Sequence, residues 1–480
     1  MNRSTSFYSK LSVLPLMLAL AGCVAIPPQG DHLQKIDSAR VQLTAELAMK
    51  QSGWPDARWW QVFGDNQLNQ LVETARQGAP SLDTAKARLH AAQAAMNLTD
   101  VSRNPTLIGN ASVSKDLETA NGMIPPPYAG NYVNQGRATL DFNYDLDWWG
   151  TQKASLQAAI GQVAAAKAEQ AAAELIVTTA VTQQYYAYQA ASAQLALVEQ
   201  QIGKQQQLGK LQQARIRQGL DTQDVLRQTD ERRANLQQQA EILKTGMQLA
   251  RVQLRALTGM NTLPELQMVR LPNVVDGIPA SLGVDLIARR PEIDAARWRV
   301  EAGLSQEAVA KSRFYPSISL SALVGFSSID LDKLLSSSSQ IASIAPAIHL
   351  PIFDMGQLKA NLASSRAQTE VTVGQYNQTV VDALKEVSEA VTSLQGLSRQ
   401  QLAVNAALVA SQSQLNLTRA RQKQQLADAR QVLQGEMSVI NQQTTLLQLQ
   451  QQRISAQINL YKALGGGYVA DARPANGDAQ

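Results

Sequence analysis

In four segments of the chain, polar and apolar positions alternate with a period of two. From Arg137 to Trp148, the residues Ala138, Leu140, Phe142, Tyr144, Leu146 and Trp148 fall on one side, and Thr139, Asp141, Asn143, Asp145 and Asp147 on the other. Such alternation predicts a strand with one apolar and one wet face. A second segment sets Ile318, Leu320, Ala322, Val324 and Phe326 against Ser317, Ser319 and Ser321. A third sets Ile344, Ile348, Leu350 and Ile352 against Ser343, Ala345 and His349. The fourth is weaker, with Ile108, Asn110, Ser112 and Ser114 against Leu107, Ala111 and Val113. The expected strands run over 105–117, 136–148, 315–327 and 342–353. A strand of roughly ten residues is long enough to cross a bilayer when tilted.

Most of the remaining chain is rich in Ala, Gln and Leu, which are strong helix formers. Residues 150–218 and 356–424 contain no proline. Each stretch, as one helix, would run roughly 100 Å, a length found in coiled coils and helical barrels. The two stretches belong to an internal repeat. Gly150 pairs with Gly356, Gly219 with Gln425, Val225-Leu226 with Val432-Leu433 and Ala256-Leu257 with Ala463-Leu464, at offsets of 206 or 207 residues. Asn104-Pro105-Thr106-Leu107 likewise matches Tyr315-Pro316-Ser317-Ile318. The expected division is a first repeat over 65–259 with its hairpin at 150–258, a linker over 260–285, a second repeat over 286–464 with its hairpin at 356–464, and a tail over 465–480.

The first residues supply an address. Arg3 and Lys10 precede a short apolar run, Leu11–Leu20, too short to span a bilayer, so 1–22 reads as a signal peptide. Cys23 follows Leu20-Ala21-Gly22 directly. That arrangement resembles the lipobox of bacterial lipoproteins and implies N-palmitoyl and S-diacylglycerol groups on Cys23. Val24 stands where an Asp would imply retention at the inner membrane, so the outer membrane is implied. The lipidated N-terminal segment, 23–64, is expected to lie outside the repeats.

Composition narrows the chemistry. Without Arg3 and Lys10, the 43 basic residues fall to 41 against 39 acidic ones, which gives no support for a nucleic-acid partner. Three histidines and one cysteine, scattered along the chain, are too few for a metal or redox centre. No nucleophile, base and pocket signature converges, so an enzyme is not expected. Four strands cannot close a barrel, and open edges are not tolerated in lipid. A soluble sandwich with the apolar faces as its core is the alternative, though four strands make a poor one. A membrane barrel must be shared with copies of the chain: two would give eight strands with a filled interior, three would give twelve and a conduit. The polar inner faces favour the larger, water-filled option.

In order along the chain stand Trp59-Trp60, Phe63-Gly64-Asp65, Tyr144-Asp145-Leu146-Asp147-Trp148-Trp149-Gly150, Ala288-Arg289-Arg290-Pro291-Glu292-Ile293, Phe314-Tyr315-Pro316-Ser317, Leu350-Pro351-Ile352-Phe353-Asp354 and Tyr461-Lys462-Ala463-Leu464-Gly465-Gly466-Gly467-Tyr468. With the lipobox, this order resembles the TolC family of outer membrane efflux ducts, in its NodT-type lipoprotein branch. The resemblance implies an α+β membrane protein. Duplicated long-helix hairpins would form a periplasmic α-helical barrel, and four transmembrane strands per chain would complete a 12-stranded barrel in a homotrimer. It also implies a mid-tunnel belt built from 24–64, 260–285 and 465–480. The implied partners are a periplasmic adaptor, an inner-membrane transporter and outer membrane lipid. No cofactor or metal is implied. The function would be a passive exit duct for drugs or other small lipophilic or aromatic compounds. Two alternatives are a duct for protein secretion and a lipid-anchored coiled-coil scaffold without a pore.

The resemblance also places residues. Gly219-Leu220 and Gln425-Leu426 fall at the hairpin tips that would meet the adaptor. A glycine suits a turn needing positive φ, which Gln does not, so the two tips are expected to differ in strength. Gln431 and Gln434 stand where the family pattern has acidic rings at the periplasmic entrance, so cation selectivity is expected to be weak. Asp224, Asp428 and Arg430 lie nearby as an alternative ion-pair latch. The clusters Trp54, Trp59, Trp60 and Arg289-Arg290-Pro291-Glu292 read as structural, and Gly465-Gly466-Gly467 as a helix stop.

Overall fold

In the computed structural model, residues 26–28, 30, 32–36, 51–273, 277–279 and 284–470 are described. Cys23, the signal segment and parts of the three belt segments lie outside them. In chain order the elements are β1 (Gln51–Ser52), α1 (Asn66–Gly78), α2 (Pro80–Val101), β2 (Thr106–Leu117), β3 (Tyr132–Leu146), α3 (Thr151–Arg217), α4 (Gln223–Thr258) and β4 (Ile278–Pro279), followed by α5 (Val284–Arg289), α6 (Pro291–Ser312), β5 (Ser317–Ser328), β6 (Gln340–His349), α7 (Met355–Lys423) and α8 (Ala429–Ala463). Two of these helices have 67 and 69 residues, about 100 Å each at 1.5 Å per residue.

The described parts of 1–35, 90–165 and 297–375 form one compact unit. Its centre is a four-stranded antiparallel sheet in the order β2-β3-β5-β6. The two repeats are thus joined by β3–β5 pairing, with Leu140 opposite Val324 and Phe142 opposite Ala322. Paired residues share a face. One face therefore carries Leu107, Leu140, Phe142, Val324, Ile344 and Ile348, while the other carries Asn110, Asp141, Asn143, Ser319, Ser321 and Ser343. The apolar face is not packed on a core: Leu140 is 50% exposed and Ile344 76%. The strand ends differ from expectation. β3 stops at Leu146 because Asp147 turns to cap the next helix, accepting from the Gln152 and Lys153 amides at 2.9 and 2.8 Å, and Gly150 takes a positive φ of 73°. Trp148 therefore leaves the ladder. β6 stops at His349, whose partner Ser317 is the first residue of β5, so Leu350 and Ile352 lie beyond the ladder.

The described parts of 36–89, 166–296 and 376–480 form the second unit. Asp65 caps α1 through the Gln67 and Leu68 amides. The i, i+3, i+4, i+7 stripe Leu68, Leu71, Val72 and Ala75 buries that helix. It packs with Trp59, Trp60, Tyr185, Tyr186, Leu254, Ile454 and Ile458. Burial pushes both phenols, Tyr185 and Tyr186, well above their usual range, and the nearby Asp65 carboxylate adds to it. The tryptophan pair is core, as the sequence suggested. Arg290 is also structural: its nearly buried guanidinium reaches Glu386 at 2.8 Å and Glu292 at 3.5 Å. The three glycines do more than stop α8. Each has positive φ and lies so close to a different part of the chain that an added Cβ would clash there: at Gly465 with the Arg289 carbonyl, at Gly466 with the Leu175 and Trp59 side chains, at Gly467 with the Asp56–Ala57 peptide. Tyr468 just beyond donates to Asp294 at 2.7 Å.

Candidate functional site

The hairpins α3–α4 and α7–α8 each turn through a five-residue link, and the two links have one backbone geometry. The Gly219 amide donates to the Ile216 carbonyl and the Leu220 amide to the Arg215 carbonyl, both at 2.9 Å. In the second, the Gln425 amide donates to Gln422 at 2.9 Å and the Leu426 amide to Arg421 at 2.8 Å. This is the helix-ending pattern in which the residue past the cap adopts left-handed backbone. Gly219 has φ 70° and Gln425 φ 63°, the one non-glycine residue with positive φ among those described. The expectation that Gln does not suit the turn is corrected: Gln425 makes it, at a strain of order 1 kcal/mol. Leu220 and Leu426 stand exposed at equivalent points of the two turns.

Beside the turns lies a cluster of four charges. Arg215 Nε donates to Asp221 Oδ2 at 2.7 Å, and Arg430 reaches Asp221 at 3.4 Å and Asp428 at 2.7 Å. Asp221, only 12% exposed, thereby ties the first hairpin to the second. Of the three residues expected as a latch, Arg430 and Asp428 are brought together. Asp224 is not: it starts α4 and accepts from the Thr222 hydroxyl of its own turn. Asp221 takes its place because it sits within the turn itself, where the left-handed Gly219 redirects the chain. Asp428 also caps α8. Its carboxylate accepts from the Gln431 amide at 3.0 Å, while Gln431 Oε1 accepts from the Asp428 amide at 3.1 Å. Burial alone would push the Asp428 carboxyl up, but the Gln431 and Arg430 bonds outweigh it and hold it below its ordinary range. Gln431 is thus half of a capping box, and Gln434 is exposed one turn further on.

Deeper along the same helices a second node joins three of them. Glu436 of α8 accepts from Lys204 of α3 and Arg419 of α7, each at 2.8 Å. Its carboxyl, which burial would raise, ends below the usual range because of those two cations. Beyond it the α3–α8 seam is a ladder of amides: Gln201 donates to Asn441 at 2.7 Å, Gln194 to Gln451 at 3.3 Å and Gln183 to Asn459 at 2.7 Å. Sequence reasoning does not find Arg215, Asp221, Lys204, Arg419 or Glu436. Asp221 alone has a readable signal, its position immediately after Gly219-Leu220.

Among the described residues no His, Cys, Asp and Glu group is arranged to hold a metal ion, and no helix is long and apolar enough to cross a membrane. A four-stranded sheet with one exposed apolar face, joined to two helices of about 100 Å, is the architecture of an outer membrane channel. A family model described as outer membrane efflux protein matches residues 71–260 and 282–466, and the chain belongs to that family. It is 32% identical over 480 residues to the multidrug resistance outer membrane protein MdtP of Escherichia coli O6:H1, covering 98% of each chain. It is also 32% identical over 484 residues to the multidrug resistance outer membrane protein MdtQ of the same strain, covering 98% of this chain and 100% of the other. The outer membrane protein VceC of Vibrio cholerae superimposes with a TM-score of 0.78 at 33% identity, over 86% of this chain and 100% of that one. The protein is an outer membrane efflux channel.

Proposed function

We propose that three copies of the chain close a 12-stranded barrel and a helical tunnel, forming the passive exit duct of a tripartite pump for drugs and other small lipophilic or aromatic compounds. A periplasmic adaptor and an inner-membrane transporter complete the pump. The observation that carries this reading is the four-stranded sheet with two open edges, β2 and β6, and one exposed apolar face. In lipid those edges must be paired, and pairing β6 of one copy with β2 of the next does so. The passage is driven by the transporter, since the duct itself offers only walls.

Cys23 carries the lipid anchor. Ile26 is three residues further on, roughly 10 Å of chain. Ile26 packs against Phe314, Leu358 and Leu362 where α6 passes into β5 and α7 begins. Arg366 fixes the next residues by donating to the Pro27 and Pro28 carbonyls at 3.0 Å each. The anchor would therefore enter the membrane beside the helix-linked ends of the strands.

The turns at Gly219-Leu220 and Gln425-Leu426 dock the adaptor. Their shared backbone lets one adaptor surface meet both. Gln425→Gly removes the left-handed strain, of order 1 kcal/mol, and is expected to increase adaptor cross-linking at the second turn severalfold while leaving the first unchanged. Equal cross-linking in both proteins would show that the turn does not bear on docking.

The Asp221–Arg430–Asp428 cluster, with Gln431 and Gln434 beside it, closes the periplasmic entrance, and Asp224 stands outside the latch. Asp428 titrates below its ordinary value, so its contribution is complete at neutral pH and is lost as pH falls through the lowered value, below about 4. Single-channel conductance in planar bilayers should stay low from neutrality down to that range and rise beneath it. Arg430→Ala should raise conductance at pH 7 and flatten the acid step. A variant as tightly closed as wild type would remove the cluster from the entrance.

The pump itself is tested by accumulation of a lipophilic fluorescent dye in cells lacking their other exit ducts, with the adaptor and transporter present. Accumulation should fall only when this chain is supplied. Unchanged accumulation, with the chain confirmed as an outer membrane trimer, would overturn the drug-efflux assignment.

A further inference from the structure

The apolar face of the four strands carries a single charge. Across the register, that face holds Leu107, Gly109, Ala111, Val113, Lys115 and Leu117 in β2, and only uncharged residues in β3, β5 and β6. Lys115 lies at the end of β2 nearest the β2–β3 loop, opposite Asn134. Its ammonium sits 5.6 Å from the centroid of the Tyr132 ring, a cation–π contact that leaves the charge otherwise unmet. No described carboxylate pairs with it. Asp116 belongs to the opposite face, where it accepts from Ser114 Oγ at 2.6 Å.

Four residues along β2 from Lys115, roughly 13 Å of strand, a groove of about 790 Å³ opens on the same face, lined by Gly109, Ala111, Ala138, Leu140, Val324 and Leu335. Three of these side chains are small, which sinks the floor between Leu140 and Leu335. Leu335 reaches in from the β5–β6 loop and is otherwise exposed. An ammonium with no carboxylate partner, set roughly 13 Å along the strand from an apolar furrow on the same face, matches one ligand chemistry: an anionic headgroup above an acyl chain.

All strand ends that join helices lie at one end of the sheet, and the 118–131 and 329–339 loops at the other. With the helices periplasmic, the Lys115 end lies in the outer leaflet. We propose that Lys115 and Tyr132 hold a phosphate of an outer-leaflet phosphorylated glycolipid, with one acyl chain in the groove below. The proposal rests on the barrel reading above.

The test uses the full-length lipoprotein, extracted and stripped of lipid, with oligomer formation scored first. A wild-type chain that forms no oligomer sinks the barrel reading, independently of any lipid result. The oligomer is then titrated with bisphosphorylated lipid A, its dephosphorylated form or phosphatidylglycerol, and binding is read by native mass spectrometry. The bisphosphorylated lipid should bind tightest. Lys115→Met should weaken it about fivefold, from the usual contribution of one cation near a lipid surface, and Lys115→Glu further. Ala111→Trp, which fills the groove and leaves Lys115 in place, should also weaken it. Equal affinity for wild type and Lys115→Met, or for phosphorylated and dephosphorylated lipid, would overturn the phosphate site. Equal affinity for phosphatidylglycerol would overturn the assignment to a glycolipid.

Discussion

Gly465→Val is expected to abolish the folded channel, measured as loss of heat-resistant oligomer and of outer membrane yield. A Cβ at this position would lie 1.8 Å from the Arg289 carbonyl oxygen, on backbone rather than on a side chain that could swing aside. The backbone there has φ 84°, which a β-branched residue adopts only at a cost of about 1–2 kcal/mol. Relieving the clash would move the α5–α6 junction, and that junction is held. Arg290 is tied to Glu386, and Leu286 packs with Val387, Leu460 and Leu464. Overpacking of this kind costs a further 1–3 kcal/mol, roughly. Together the change approaches the largest effects single substitutions produce. Gly246→Ala is the matched control: an added Cβ meets nothing within 4 Å inside α4, and exchanging Gly for Ala in a helix should raise stability by up to about 1 kcal/mol. If both variants unfold at the wild-type temperature, the close approach of Gly465 to Arg289 does not stabilise the fold.

The contrast between these two glycines shows what the sequence can and cannot convey. Gly465-Gly466-Gly467 is readable as the end of a helix, because α8 runs out there. The partners of those glycines, Arg289, Leu175 and Asp56, lie far away in sequence, and no local pattern announces them. The strands are readable because a half-exposed sheet enforces period two on the residues themselves. Their ends are not, because Asp147 turns away to cap a helix through two backbone amides, and β6 ends where its partner β5 begins. That β3 pairs with β5, joining the repeats, is a long-range fact that alternation leaves open.

The hairpin turns are legible through the repeat, yet Gln425 runs against its propensity. Gln avoids left-handed backbone, and here two helices of 35 residues or more dictate the turn regardless. The capping box of Asp428 and Gln431 is plain in the spacing Asp-x-x-Gln, but the resemblance assigns Gln431, with Gln434, to the entrance and Asp428 to a latch, and neither role is a cap. Asp221 is hidden because its partner, Arg430, belongs to the other repeat.

Leu140→Arg is expected to prevent insertion of the channel, whereas Ser319→Arg, on the opposite face of the neighbouring strand, is expected to be tolerated. Leu140 stands near the middle of β3 between Gly109 and Val324, with half its surface exposed on the apolar face. An arginine facing lipid at the bilayer midplane costs about 2–4 kcal/mol, and a trimer would bear that cost in every copy. Ser319 lies opposite Asp145 on the wet face, so an arginine there gains a cross-strand partner in water. The two substitutions add the same side chain to adjacent strands of one sheet, so the added charge is matched and the face it enters differs. Outer membrane fractionation and oligomer formation read the outcome, with dye accumulation as the functional check. Normal assembly of Leu140→Arg would mean that the apolar face meets protein rather than lipid. Both the shared barrel and the lipid site at Lys115 would then fall together, because each requires that face to look outward.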